Sequence, residues 1–342
     1  MIDRVKILLI YTGGTIGMVK DFETGVLRPF RFETIKERLP ELSLLDCDIE
    51  TISFETPIDS SDMSPQLWGE IAKTIEENYQ KFDGFVVLHG SDTMSYSASA
   101  LSFMLKNLSK PVIFTGSQLP IGDLRTDARE NLITSIHLAS LKENNKSVIQ
   151  EVGLYFEYKL YRGNRTTKIN SENFEAFVSA NYPLLAESGV HLRVHKEHLL
   201  KNKKDDKLSV FTEFNTNVAI IKIFPGITPT ILEGILSIPH LEGVVIETYG
   251  SGNAPTAKWF IEILEKSIKK GLTIVNVTQC IGGSVIPNKY ETGTYLEKIG
   301  VINGKDLTTE AAITKLMFLL GKNKNVKDLK IRYEENLRGE ID

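Results

Sequence analysis

Cysteine is scarce in this chain. Two occur in 342 residues, Cys47 and Cys280, far apart and in no C-x-x-C pair. That excludes a disulfide scaffold and points to a reducing compartment, the cytoplasm. No apolar run reaches the ~18 residues of a membrane span. The opening segment MIDRVKILLIYTGGT passes from charge into an apolar stretch too short for a secretory signal, with no A-x-A-like cleavage site. An excess of one charge is also missing: 40 Lys and Arg face 44 Asp and Glu, for a formal net charge of −4. A polyanion binder needs concentrated basic side chains, so nucleic acid and membrane surfaces are poor partners for it. Neither G-x-G-x-x-G nor G-x-x-x-x-G-K-[ST] occurs, which argues against phosphate cradling and sets aside a nicotinamide dehydrogenase.

What is present is an ordinary globular composition, 42% apolar. A chain this long buries about three quarters of its unfolded surface and needs no metal or disulfide staple. Short apolar runs recur at Val5–Ile10, Phe85–Leu88, Val112–Phe114, Val152–Phe156, Val218–Phe224, Val244–Ile246 and Leu272–Val277. They are nearly continuous rather than alternating, as in strands covered on both faces of a parallel sheet. Helical stripes lie between several of them: Ser95–Leu108, Arg125–Leu141, Ala257–Lys269 and Thr309–Leu320, the last with Thr308 as cap and Gly321 as terminator. The alternation predicts an α/β layered fold. The most polar stretch, KNKKDDK at 201–207, suggests a linker over 196–214 between domains at 1–195 and 215–342.

Four loops carry candidate chemistry. YTGGTIGM (11–18) follows a strand, and Gly13-Gly14 permit a tight turn that exposes backbone N–H groups beside the hydroxyls of Thr12 and Thr15. In FVVLHGSDTM (85–94) a strand ends at His89 and Gly90 bends the chain. Ser91 and Asp92 then either cap the next helix or hold an ammonium group and orient a proton relay. YRGNRTTKIN (161–170) places Lys168 beside two threonines, either as a surface lysine or, in a closed pocket, as a partner for a hydroxyl. PIDSSDM (57–63) is either a turn or a recognition loop for a small zwitterion, with Asp59 taking the α-amine and hydroxyls meeting the α-carboxylate.

Other polar groups read as structural. His191, His195 and His198 recur at i, i+4, i+7, but Val190, Leu192 and Val194 alternate between them. That pattern predicts a strand with the histidines turned outward, and no metal site is assigned. His89 reads as a packing residue, and Cys280, after an apolar strand, as buried and inert.

Taken together the motifs resemble the L-asparaginase family, in its bacterial cytoplasmic type I branch. They are YTGGTIGM (11–18), DSSDM (59–63), DGFVVLHGSDTMSYSASALSFML (83–105), PVIFTGSQLP (111–120), LYRGNRTTK (160–168), YGSGNAP (249–255), TQC (278–280) and NLRGE (336–340), in collinear order over nearly the whole chain. The resemblance implies a larger N-terminal and a smaller C-terminal α/β domain, a homodimer or homotetramer, and no cofactor or metal. It implies Thr15 as the nucleophile and Ser91, Asp92 and Lys168 as a second hydroxyl–carboxylate–ammonium set. Asp59, Ser60, Ser61, Ser91 and Asp92 would bind the substrate, L-asparagine, with Asn253 reaching a neighbouring subunit's site. The chain departs from the family in two places. Serine stands at 91 where threonine is usual, keeping the hydroxyl and losing the methyl that stiffens the rotamer. The loop Val19–Phe30 lacks the tyrosine that many relatives carry there, and Tyr290 is the candidate substitute.

Those roles imply amide hydrolysis by two-step acyl transfer, which replaces one difficult step with two easier ones. Two other functions are consistent with the same motifs. One is the glutaminase subunit of a tRNA-dependent amidotransferase, whose relatives carry an extra domain before TGGT, whereas TGGT here begins at Thr12. The other is a non-catalytic asparagine sensor. Asparagine and glutamine differ by one methylene, worth only ~1–3 kcal/mol of discrimination, so minor glutaminase activity is compatible with the reading.

Overall fold

The computed structural model describes residues 4–20, 27–29, 35, 39–201, 207–286, 291–322 and 326–342. The chain forms two compact units, Met1–Thr212 and Glu213–Asp342. Among the described residues no helix is long and apolar enough to cross a membrane.

The first unit is built on an eight-stranded sheet. Its strands are β1 (Val5–Gly13), β2 (Cys47–Ile58), β3 (Gly84–Leu88), β4 (Val112–Thr115), β5 (Val152–Phe156) and β6 (Lys159–Arg162). After a separate two-stranded ribbon, β7 (Thr167–Lys168) with β8 (Phe177–Val178), the sheet closes with β9 (Ala186–Glu187) and β10 (Arg193–Val194). The spatial order is β10-β9-β6-β5-β4-β3-β1-β2. From β2 to β5 every pairing is parallel, and β6, β9 and β10 add antiparallel. Except for the edge strand β2, the parallel strands are the apolar runs of the sequence, and β3, β4 and β5 are buried throughout. Helices α1 (Pro65–Asn78), α2 (Met94–Met104) and α3 (Ala128–Ser140) connect them. Helix α2 is buried on nearly every side, which its many Ala and Ser side chains allow.

The second unit has a four-stranded parallel sheet, β11 (Val218–Lys222), β12 (Gly243–Thr248), β13 (Thr273–Thr278) and β14 (Ile302–Asn303), in that order. Helices α4 (Pro229–Leu236), α5 (Lys258–Lys269), α6 (Glu291–Lys298), α7 (Thr309–Lys322) and α8 (Val326–Glu334) accompany it. Phe260, Ile263 and Leu264 of α5 pack with Val244, Ile246 and Ile274 in one core. Thr308 caps α7 by accepting from the Ala311 N–H at 3.1 Å.

Several local expectations give way. Helix α2 stops at Met104 because Leu105–Lys106 pairs antiparallel with Ser209–Val210. That pairing, with the Phe211 N–H donating to Met104 O, holds much of the expected 196–214 linker on the first unit. Residues 202–206 of KNKKDDK lie outside the described residues. Gly321 does not terminate α7. It is needed because a Cβ there would lie 2.2 Å from the Glu213 carbonyl oxygen. Cys280 is exposed, since β13 ends at Thr278 and the chain bends away. The strand expected through the three histidines is only two residues long, and Lys196–His198 turn into a 3-10 helix.

Candidate active site

Four loops meet beyond the carboxyl ends of β1, β2, β3 and β4, where ligands bind in open α/β sheets. The Gly13-Gly14 turn makes the meeting possible. Gly13 has φ 140° and Gly14 φ 85°, in the region that favours glycine. A Cβ on Gly13 would lie 2.2 Å from Ile58 O, and one on Gly14 would lie 2.5 Å from Gly90 N. Gly90 in turn faces Ser60, where a Cβ would lie 2.6 Å from Ser60 Oγ. Backbone contacts of Gly13 and Gly14, and the contact of Gly90 with the Ser60 side chain, therefore bring the neighbours of Thr15, Ser61 and Ser91 together, and any side chain in these positions would force them apart.

Thr15 opens a 3-10 turn, Thr15–Gly17, and is half-buried. The ring of Tyr11 fills the space beside Gly17, where a Cβ would be 2.3 Å from the ring. Burial pushes the Tyr11 phenol up to about 12, so it stays neutral. Thr12 is buried and donates to Leu88 O at 2.9 Å, which ties the turn to β3.

Ser91, Asp92 and Lys168 converge. Lys168 Nζ donates to Ser91 Oγ at 2.9 Å and to Asp92 Oδ1 at 2.6 Å. Its side chain is 14% exposed, so it is not a bulk-solvent lysine, while Asp92 is 63% exposed. Helix α2 has Thr93 at its N-cap with no side-chain oxygen capping it. The capping alternative for Ser91 and Asp92 is therefore not what these side chains do. Thr93 instead donates to Ser60 O at 2.7 Å, joining two loops.

Asp59 accepts from the Ser61 N–H at 2.9 Å and starts the short turn Ser60–Asp62. The Ser61 backbone and hydroxyl hold the Asp59 carboxyl below its ordinary value. Ser60 is buried and Ser61 exposed. Asn253 lies in the second unit, in a turn closed by its backbone bonds to Tyr249 at 2.8 and 2.9 Å. Tyr290 lies outside the described residues, as does the middle of the loop after TGGT. Its flanks, Met18–Lys20 and Leu27–Pro29, form an antiparallel ribbon.

Two structural groups were not singled out from the sequence. Gln118 Oε1 accepts from Ser91 Oγ at 3.3 Å, and Gln118 Nε2 donates to Asn173 O at 2.9 Å. Its own N–H donates to the Asp127 carboxylate at 2.9 Å, which also accepts from Leu119 N and from Asn131 Nδ2. Asp127 is the anchor for the loop after β4. The glutamine in TGSQLP was the available signal, but nothing in its spacing points to Ser91.

His89 is fully inside. A carbonyl oxygen only accepts, so Nδ1, 2.7 Å from Gly90 O, carries the proton. Nε2 then accepts from Ser97 Oγ at 2.8 Å, and Ser97 accepts from Trp68 Nε1 at 2.8 Å. Burial pushes the imidazole down to about 4, so it is neutral near pH 7. With both nitrogens engaged away from the loop cleft, His89 supports the Gly90 bend and performs no proton transfer there.

Comparison with known proteins supplies the context. The family profile described as "Asparaginase, N-terminal" matches residues 6–200, and "Glutaminase/Asparaginase C-terminal domain" matches 217–331. L-asparaginase 1 of Escherichia coli K12 is 40% identical over 339 residues, covering 99% of this chain and 98% of that protein. A glutamyl-tRNA(Gln) amidotransferase polypeptide of Pyrococcus abyssi is 33% identical over 342 residues, covering 98% of this chain and 76% of that protein. The crystal structure of L-asparaginase I from Vibrio cholerae superimposes with a TM-score of 0.90 at 37% identity, covering 99% of this chain and all of that one.

Proposed function

The chain belongs to the asparaginase family and is an amidohydrolase, and we propose that it hydrolyses L-asparagine to L-aspartate and ammonia through an acyl-enzyme on Thr15. The observation that carries this reading is the Lys168–Ser91–Asp92 cluster, whose Ser91 and Asp92 lie on the loop that touches the Gly13-Gly14 turn. An amide needs a nucleophile, a proton route to the departing nitrogen and donors for the oxyanion, and these elements supply them.

In the proposed sequence Thr15 Oγ bonds to the side-chain carbonyl carbon. Its proton passes along Ser91, Lys168 and Asp92 to the amide nitrogen. The C–N bond breaks, ammonia leaves and the acyl group stays as an ester on Thr15. Water then adds to the ester carbon, the bond from that carbon to Thr15 Oγ breaks, the water's proton passes to Thr15 Oγ along the same route, and aspartate is released. Proton transfer of this kind contributes roughly 10²–10⁴-fold. Backbone N–H groups at the glycine bends stabilise the oxyanion by about 3 kcal/mol per donor. Asp59 is kept ionised by Ser61, which suits it to the α-ammonium of the substrate, with Ser60, Ser61 and Asp92 completing that end. Tyr290 assists nucleophile activation in place of the absent loop tyrosine. The protein works as a cytoplasmic homo-oligomer, with Asn253 reaching a neighbouring subunit's site. Minor glutaminase activity accompanies the main reaction.

Ammonia release from asparagine and glutamine, measured across a concentration series, tests this. Thr15→Ala is expected to lose at least three decades of kcat, and activity undiminished in that variant overturns the nucleophile assignment. Tyr290→Phe is expected to lower kcat, and Asn253→Ala to raise KM. Sedimentation should give a dimer or tetramer. Salt-sensitive tRNA binding would favour the amidotransferase reading, and stoichiometric asparagine binding without turnover would favour the sensor.

A further inference from the structure

We propose that His195, Glu197 and His198 form a binding site for one divalent transition-metal ion of the zinc, cobalt or nickel type, at the edge of the eight-stranded sheet. One ligand atom from each residue lies within 4.8 Å of the others. The cluster exists because β10 ends at Val194 and the chain tightens into the 3-10 turn Lys196–His198, with the His198 N–H donating to His195 O at 3.0 Å. An extended strand would have sent His198 to the face opposite His195 and Glu197.

The turn is held before any ion arrives. The His195 N–H donates to Leu185 O at 2.9 Å. The His198 carbonyl accepts from Arg162 Nη2 at 2.7 Å and from the Tyr182 hydroxyl at 2.9 Å. Arg162 is itself locked to the buried Glu151 at 2.6 Å, and Glu151 accepts from the Leu200 N–H at 2.7 Å. The backbone on the C-terminal side of the cluster is thus fixed by a buried ion pair, and on the N-terminal side by Leu185 O. A second feature concerns the donor atoms. His198 Nδ1 lies 2.9 Å from Leu184 O, a pure acceptor, so Nδ1 carries the proton and Nε2 keeps its lone pair. Metal-bound histidines are oriented by this kind of bond from the other ring nitrogen. The His195 and His198 rings lie 5.5 Å apart and 30° from parallel, and His195 Nδ1 is 3.8 Å from Glu197 Oε1. The neighbouring Lys196 pairs with Glu143, so its charge is drawn away from the cluster.

Bonds of about 2.0–2.2 Å bring tetrahedral ligand atoms to roughly 3.3 Å from one another. Rotation of Glu197, whose side chain is 69% exposed, supplies the remaining closure. Two imidazoles and one carboxylate favour borderline transition metals over magnesium or calcium. Three protein ligands leave the remaining positions to water.

The test uses the full-length protein stripped with a chelator, dialysed, and titrated with ZnCl₂ by calorimetry and with CoCl₂ by visible absorption. One ion per chain is expected. His195→Ala and His198→Ala should each weaken it at least tenfold, and Glu197→Gln by less. Each leaves the backbone bonds of the turn in place, and unchanged circular dichroism verifies the fold. As a check that needs no variant, Zn²⁺ should protect two histidines of the wild-type chain from diethylpyrocarbonate. No saturable binding, or affinity unchanged in the His195→Ala/His198→Ala double variant, would overturn the proposal. The second result would assign the ion to His137, His191 or His240.

Discussion

Two lysines show how burial divides one chemistry into two tasks. Lys168 and Lys315 each pair with a carboxylate at short range, 2.6 Å to Asp92 and 2.5 Å to Glu340. The Lys315–Glu340 pair is 0% exposed on both sides. Its ammonium also donates to Glu335 O and lies 5.2 Å from the Tyr333 ring. Glu340 accepts from the backbone N–H groups of Leu337 and Arg338, so the pair ties the C-terminal NLRGE segment to α7. Burial pushes Lys315 below its ordinary value even with Glu340 beside it. Lys168 differs in one respect that matters for chemistry: its partner Asp92 stands open to solvent. A closed pair fixes structure, and a half-open pair has somewhere to send a proton.

The sharpest way to break this comparison is to remove each ammonium in turn. Lys168→Met should lower kcat for asparagine by 10²–10⁴-fold. The cost in folding stability should stay under about 1 kcal/mol, because one partner is solvated. Lys315→Met should do the reverse. Leaving the buried Glu340 without its ammonium costs about 3–5 kcal/mol in urea unfolding, with kcat of the folded fraction retained. Adding Glu340→Leu to Lys315→Met should recover part of that, though not all, since Leu337 and Arg338 then lose their acceptor.

The next effect concerns a buried base held neutral. His89 sits near 4 in the fold, against about 6.5 for an unfolded histidine. The unfolded chain therefore binds more protons between those values, and stability contributed by neutral His89 is lost as pH falls from about 6.5 to 4. The loss approaches 3 kcal/mol across that window at 1.36 kcal/mol per pH unit. Urea midpoints measured over that range should flatten in His89→Gln. The smallest effect sharpens the Lys168 side. Gln118→Leu leaves the Ser91 hydroxyl without its acceptor, and kcat should fall about tenfold, on the scale of one hydrogen bond, with a smaller change in KM. An unchanged kcat would show that Lys168 alone orients Ser91.

Legibility followed the same division. The central strands were readable because burial on both faces demands continuous apolar runs, as in GFVVL and VGLYF. Strand β2 was not, because CDIETISFETPI stands at the sheet edge and alternates buried with exposed residues at its start. Helix α1 went unread although Ser64, its cap, Pro65 and the stripe Trp68, Ile71, Ala72 and Ile75 were all present. At the site, the residue types of Ser91, Asp92 and Lys168 were visible, but the sequence separation of 77 between Ser91 and Lys168 hides their contact. The Gln118 link to Ser91 had no local signature.

By itself the sequence determined the α/β class, the glycine pair that lets the turn after β1 form, and the kinds of side chain available for amide chemistry, because these depend on local pattern and on functional-group identity. Only the tertiary structure decided which lysine is sealed and which is half-open. It also decided that His195, Glu197 and His198 share a turn, and that Asp92 faces an ammonium rather than a helix end. Dielectric surroundings and long-range proximity come from packing between segments distant in the chain, and no short window of residues contains them.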